Sequence, residues 1–174
     1  VPGGGGIKDT FFRWHAAKDS WDEAAWQTWM NIGYGATGSS PQLSARMMYF
    51  RDGHDESVIS RDRLLPRAIE MIGEMQDRYR PPAVPVAQLA DGALADKMEE
   101  FMQQGIDRGD FFPHDKTVAM AIASVMLRGN GDGESADESE LYARERAAFI
   151  RLSKTPETLA RIRTMLDDGA AVRN

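Results

Sequence analysis

Four consecutive glycines, Gly3 to Gly6, stand just before Lys8-Asp9 and the aromatics Phe11, Phe12 and Trp14. Glycines ahead of a helix offer backbone N–H groups and the positive end of a helix dipole, the geometry that holds a phosphate. Neither phosphate-loop template fits. The dinucleotide pattern G-x-G-x-x-G, begun at Gly3 or Gly4, needs glycine where Lys8 or Asp9 stands, and the Walker pattern needs Gly-Lys-Ser/Thr where Ile7 precedes Lys8. A flexible glycine tail is the plain alternative, but the adjoining face of Ile7, Phe11 and Trp14 makes the run part of a fold.

Other sets of reactive residue types are weaker. His15, His54 and His114 lie far apart, and the local pairs His54-Asp55 and His114-Asp115 read as helix caps or surface turns before they read as metal ligands. Adjacent carboxylates (Glu99-Glu100, Asp137-Glu138, Asp167-Asp168) point about 100° apart on a helix and do not grip one substrate atom. The acidic stretch GNGDGESADESE fails as a calcium loop: with Asn130 in the first position, Ser135 stands where glycine is needed. Trp14, Trp21, Trp26 and Trp29 could line an acyl or aromatic pocket, and packing of a helix pair or subunit interface is the first expectation.

The elements that must position these residues follow from periodicity. Ile7, Phe11 and Trp14 predict a helix from the last glycines to about Lys18; Ser20 with Glu23 opens a second, to about Tyr34. Ser40-Pro41 opens a short helix to Met48, FRDGHDE is a turn, and Ser57 to Ile59 is at most a short strand. Leu65, Ile69, Ile72, Met75 and Tyr79 trace a long amphipathic helix that stops before Pro81-Pro82. PPAVPVA reads as an extended connector. Asp91 caps a helix with the stripe Leu94, Met98, Phe101 and Met102; Pro113 to Arg128 is apolar nearly all round and should be buried. A helix from about Asp137 carries Leu141, Ala148, Phe149 and Leu152, and Thr155-Pro156 starts a last one that Gly169 ends. The sequence thus predicts a mostly α chain.

Composition sets outer bounds. The chain has 174 residues, 42% hydrophobic and 28% charged, with net charge −6 and scattered basic residues, which speaks for an ordered domain and against a nucleic-acid partner. No run is long enough for a membrane span, and VPGGGG lacks the regions of a signal peptide, so the expected location is cytoplasmic. The absence of cysteine excludes disulfides and thiolate chemistry within these residues.

Pro2 to Gly6 before an amphipathic helix resembles the P-G-x-G-G turn of the crotonase (enoyl-CoA hydratase/isomerase) family. ERAAFIRLSKTPETLARIRTMLDDGAAVRN is similar to the closing helices of one branch, in which a hydratase module follows a 3-hydroxyacyl-CoA dehydrogenase in bacterial multifunctional proteins. The short helix SSPQLSARMM and the long helix RDRLLPRAIEMIGEM fall in the matching order between them. The resemblance implies the C-terminal helical part of an α/β crotonase fold, its strands lying largely upstream: core residues 1–80, a proline-rich connector at 81–88, and a helical block at 89–174 that covers the acyl-CoA site and makes subunit contacts.

The resemblance further implies that Gly3 holds the catalytic water through its backbone N–H, that Pro2 and Gly4 border the substrate, and that Gly5 and Gly6 let the helix start tightly against a sheet. Phe149 and Lys154 are candidate acyl or CoA contacts by their place in the closing helices. The family's paired glutamates and its oxyanion N–H groups precede this turn, and no carboxylate here matches them. The implied reaction is hydration of a trans-2-enoyl-CoA in β-oxidation, with no cofactor, and with NAD only if a dehydrogenase domain is fused. Implied partners are acyl-CoA and either other subunits of a trimer-type homo-oligomer or the rest of a longer chain. The glycine common before the short strand is replaced around Met48-Tyr49, and PPAVPVA with its following helices enlarges the module. The competing expectation is a non-enzymatic helical interaction module with a tryptophan- and methionine-rich partner surface.

Overall fold

Local capping chemistry explains most of the helix starts. In the computed structural model, which describes residues 4–129 and 133–174, the Ser20 hydroxyl accepts from the Glu23 N–H at the start of α2 (Trp21–Gly33). The Asp91 carboxylate does the same for α5 (Gly92–Asp107) through the Ala93 N–H, and Asp137 for α7 (Glu138–Leu152) through the Glu140 N–H. Thr155 caps α8 (Pro156–Asp168), whose proline sits in the first turn where its missing N–H costs nothing. Gly169 ends that helix with φ 65, in the left-handed region that favours glycine.

The chain forms two compact units. The larger comprises residues 1–36 and 85–174. Its centre is α6 (Pro113–Met126), which touches α1 (Gly6–Lys18), α2, α5 and α7; α1 and α2 pack as an antiparallel hairpin. The helix expected to be buried is so: Ala119, Ala121, Ile122, Ala123, Val125 and Met126 are core residues. They meet Phe11 and Ile7 from α1, Trp29 from α2, Met98 and Met102 from α5, and Leu141 and Leu152 from α7. The Trp29 indole N–H also donates to the Ala119 carbonyl at 2.8 Å, which satisfies a polar atom that burial would otherwise leave stranded.

A small ladder was not legible in the sequence. The connector ends in β1 (Val86–Gln88), antiparallel to β2 (Ser135–Asp137), with Ala87 opposite Ala136. Two three-residue strands carry too little alternation to stand out, and the buried Ala87 and Ala136 do not mark a core face by size. This unit therefore joins residues on both sides of 37–84.

The smaller unit, residues 37–84, holds α3 (Pro41–Ala45), a 3-10 turn Arg61–Arg63 and α4 (Leu64–Met75). The short helix ends before Met48 and the long one before Tyr79, each shorter than its apolar stripe suggested. The strand considered at Ser57–Ile59 does not form. Gly38 has its place because a Cβ there would stand 2.6 Å from the Ser44 backbone nitrogen. Arg67 gathers Glu56, Glu70 and Glu74 on the polar side of α4.

Candidate functional site

The turn into α1 is held by a side chain from the far end of the sequence. Gly5 caps the helix at φ 92, a conformation that costs a side chain dearly, and a Cβ there would lie 3.4 Å from the Tyr142 ring. The turn is gripped by Glu145 of α7, which is fully buried. The Gly5 N–H donates to Glu145 Oε1 at 2.9 Å, and the N–H groups of Ile7 and Lys8 donate to Oε2 at 3.2 and 3.4 Å. An internal carboxylate thus occupies the anion site that a helix N-terminus creates.

Both oxygens of Glu145 are engaged as acceptors from the main chain, so this carboxylate positions the turn. Lys8 adds an outer clasp, its Nζ 2.7 Å from Glu138 and 2.8 Å from Asp9. Burial works against its charge, but the hydrogen bonds to Asp9 and Glu138 outweigh that and raise its pKa above the usual lysine range.

Gly4 precedes this clasp, is exposed, and has open space where a Cβ would stand. Pro2 and Gly3 lie outside the described residues, as do residues 130–132 of the acidic stretch. The start of α1 faces Glu145 and Tyr142 of α7. Phe149, one turn beyond Glu145 on α7, is 39% exposed, and Lys154 is exposed beside a shallow hollow with Ile150, Arg151 and Pro156. Neither is among the residues that bond the glycine turn.

Glu145 escaped the sequence reading although a signal existed. It falls between Leu141 and Ala148 on the stripe that Leu152 continues, so a charge stands where an apolar residue is due. Such a position calls for a buried partner, here 138 to 140 residues away.

A cavity of about 510 Å³ opens among α2, α5, α6 and α8, walled by Trp29, Tyr34, Phe101, Phe111 and Met165. Gly105 makes one wall possible, since a Cβ there would collide with the Phe111 ring. Arg161 stands at the rim, paired with Asp115 at 2.8 Å and bonded to Asn174. The tryptophans act mainly in packing: Trp26 and Trp29 meet edge-on with Phe101, and Trp21 stacks on His15 with ring centroids 3.5 Å apart.

The His114-Asp115 pair opens α6 as a helix cap, the Asp115 carboxylate accepting from the Phe112 N–H at 2.9 Å, and His114 itself is buried with Nε2 2.8 Å from the Thr158 hydroxyl. Burial, aided by the nearby Arg161 charge, depresses its pKa despite Glu157 and Asp115. Among the described residues, no three His, Asp or Glu side chains gather closely enough to hold a metal, and no helix is long and apolar enough to cross a membrane.

No family model matches the sequence, and no solved structure matches it either. Along its whole length the chain is similar to a probable 3-hydroxyacyl-CoA dehydrogenase of Bacillus subtilis (strain 168), at 29% identity over 185 aligned residues, and it spans 22% of that relative.

Proposed function

We propose that these residues are the helical C-terminal part of a crotonase-fold enoyl-CoA hydratase module, within a fatty-acid β-oxidation protein that also carries 3-hydroxyacyl-CoA dehydrogenase activity. The observation that carries this reading is the end-to-end similarity to a much longer protein named as a probable 3-hydroxyacyl-CoA dehydrogenase. The glycine turn supports the finer assignment. Its main chain is bare and fixed by Glu145, as a backbone passing beside a reacting thioester needs to be.

In this reading the water oxygen bonds to C3 of a trans-2-enoyl-CoA while C2 takes a proton. Backbone N–H groups stabilise the enolate-like thioester, and paired carboxylates outside these residues move the protons. The part played here is positioning: Glu145 fixes Gly5, and the Gly3 N–H orients the water. NAD belongs to the dehydrogenase portion. The described residues contain one two-stranded antiparallel ladder and no βαβ unit, so they do not fit a dinucleotide.

The test uses the full-length protein. Gly3→Val should lower hydration of crotonyl-CoA by at least about a hundredfold, the scale of losing one positioned donor, while NAD reduction with a 3-hydroxyacyl-CoA is unchanged. An unaltered hydration rate overturns the assignment. The second reading, a non-enzymatic interaction module, is favoured by the exposed apolar face of α4 and predicts no hydration by any form of the protein.

A further inference from the structure

The aromatic cavity lies wholly within the larger unit, and its largest lining groups form a line of four rings. Ring centroids are 5.7 Å apart between Trp29 and Phe101, 6.0 Å between Phe101 and Phe111, and 5.9 Å between Phe111 and Tyr34, each pair tilted or edge-on. A flat aromatic guest extends such a line by the same kinds of contact. The space, about 510 Å³, has the size of a small-molecule site.

The polar groups of the lining narrow the class of guest. The Trp29 N–H is taken by the Ala119 carbonyl. Asp110 is paired with Arg108, and Asp115 with Arg161, which also donates to Asn174. Among the described residues this leaves the Arg173 guanidinium and the Tyr34 hydroxyl as the side chains of the lining with hydrogen-bond donors to spare, one of them charged, while neither carboxylate is free.

The backbone that carries Arg173 is fixed. Gly169 ends α8 in the left-handed region, and the following residues run along the cavity to Asn174. The Asn174 backbone oxygen accepts from the His114 N–H at 3.2 Å and from Arg161 Nη2 at 3.1 Å. Its side chain accepts from Arg161 Nε at 2.8 Å and donates to the Glu157 carbonyl at 3.3 Å. A cation on a strap pinned at the next residue has less freedom to lose when it meets an anion.

We infer that this cavity is a binding site for a flat aromatic carboxylate, its ring against Phe101 and Phe111 and its carboxylate on Arg173 and the Tyr34 hydroxyl. An aromatic cation would face Arg173 with like charge, and an aliphatic acid forgoes the ring contacts. The inference goes beyond the proposed hydration and does not depend on it.

Calorimetric titration of the full-length protein with 2-naphthoate tests the site. One site per chain is expected. Naphthalen-2-ol, which keeps the rings without the charge, and decanoate, which keeps the charge without the rings, should each bind at least about tenfold more weakly. Arg173→Gln should weaken 2-naphthoate about tenfold and leave naphthalen-2-ol unchanged. Gly33→Leu places a side chain at the cavity's edge, where an added Cβ meets nothing within 4 Å, and the helix gains propensity. It should weaken both aromatic ligands about tenfold without lowering the melting temperature. Lys97→Gln, beside a separate hollow, should change neither affinity. No binding at about 1 mM 2-naphthoate overturns the inference. An affinity untouched by either Arg173→Gln or Gly33→Leu places the ligand elsewhere, and equal affinity for naphthalen-2-ol or decanoate makes the cavity an unselective apolar hollow; each of these results also overturns it.

Discussion

At the scale of single residues, Glu145 governs the glycine turn into α1. Glu145→Ala removes the acceptor of three main-chain donors at once, two of them buried, and should cost about 3–5 kcal/mol in urea denaturation. Glu145→Gln keeps one acceptor oxygen but turns an amide N–H₂ toward donors, so about half that loss is expected. Equal stability of all three proteins would remove Glu145 from this role. His114 gives a second residue-level expectation. Its folded pKa is depressed, so the unfolded chain binds the proton more readily, and the stability it contributes is present above the unfolded value of about 6.5 and lost as pH falls from there toward the folded value. Denaturation across that window should lose stability on acidification. His114→Gln should be less stable at neutral pH yet show a flatter slope, and identical slopes would refute the role of this imidazole, which faces Thr158, Arg161, Glu157 and Asp115.

At the scale of elements, the helices were legible wherever a cap and a 3.6-residue stripe coincided. Ser20, Asp91, Asp137 and Thr155 cap as their types suggested, because a short polar side chain before an apolar run has few better places to go. The ends were less legible. Met48 and Tyr79 prolong apolar stripes beyond the last helical turn, since periodicity records a face and not where hydrogen bonding stops. The partner of the glycine turn lay hidden for another reason: a contact between residues 5 and 145 leaves no local pattern. The turn at the end of α5 makes a related point. Gly105 sits in a helix, where glycine is normally unfavourable, because the Phe111 ring folds back over it. Gly105→Ala should therefore destabilise the protein by about 1–3 kcal/mol through overpacking, despite better helix propensity. It should also shift the emission of Trp29, which shares the Phe101 and Phe111 wall. A stabilised variant with unchanged emission would contradict that wall.

At the scale of the whole molecule, burial is divided unequally, and this sets which parts open together. Residues 1–36 and 85–174 share a core centred on α6, joined by the Glu145 clasp and the β1–β2 ladder across long sequence separations. Breaking any one of those links exposes the others, so amides of α1, α2, α6 and α7 should exchange only through a common opening. Residues 37–84 have no core to couple them to one another, and their exposed ion pairs hold little. In the isolated 174-residue chain, hydrogen exchange read by mass spectrometry should therefore fall into two classes. The α4 amides should exchange with free energies near the low end, close to zero, while those of α6 approach the global value of about 5–15 kcal/mol. Adding low concentrations of urea should speed exchange in α6 and leave α4 nearly unchanged, because global opening exposes far more surface than local fraying. A single class of protection spanning α4 and α6 would show that cooperativity reaches residues without buried side chains, against the distribution of apolar contacts on which this division rests.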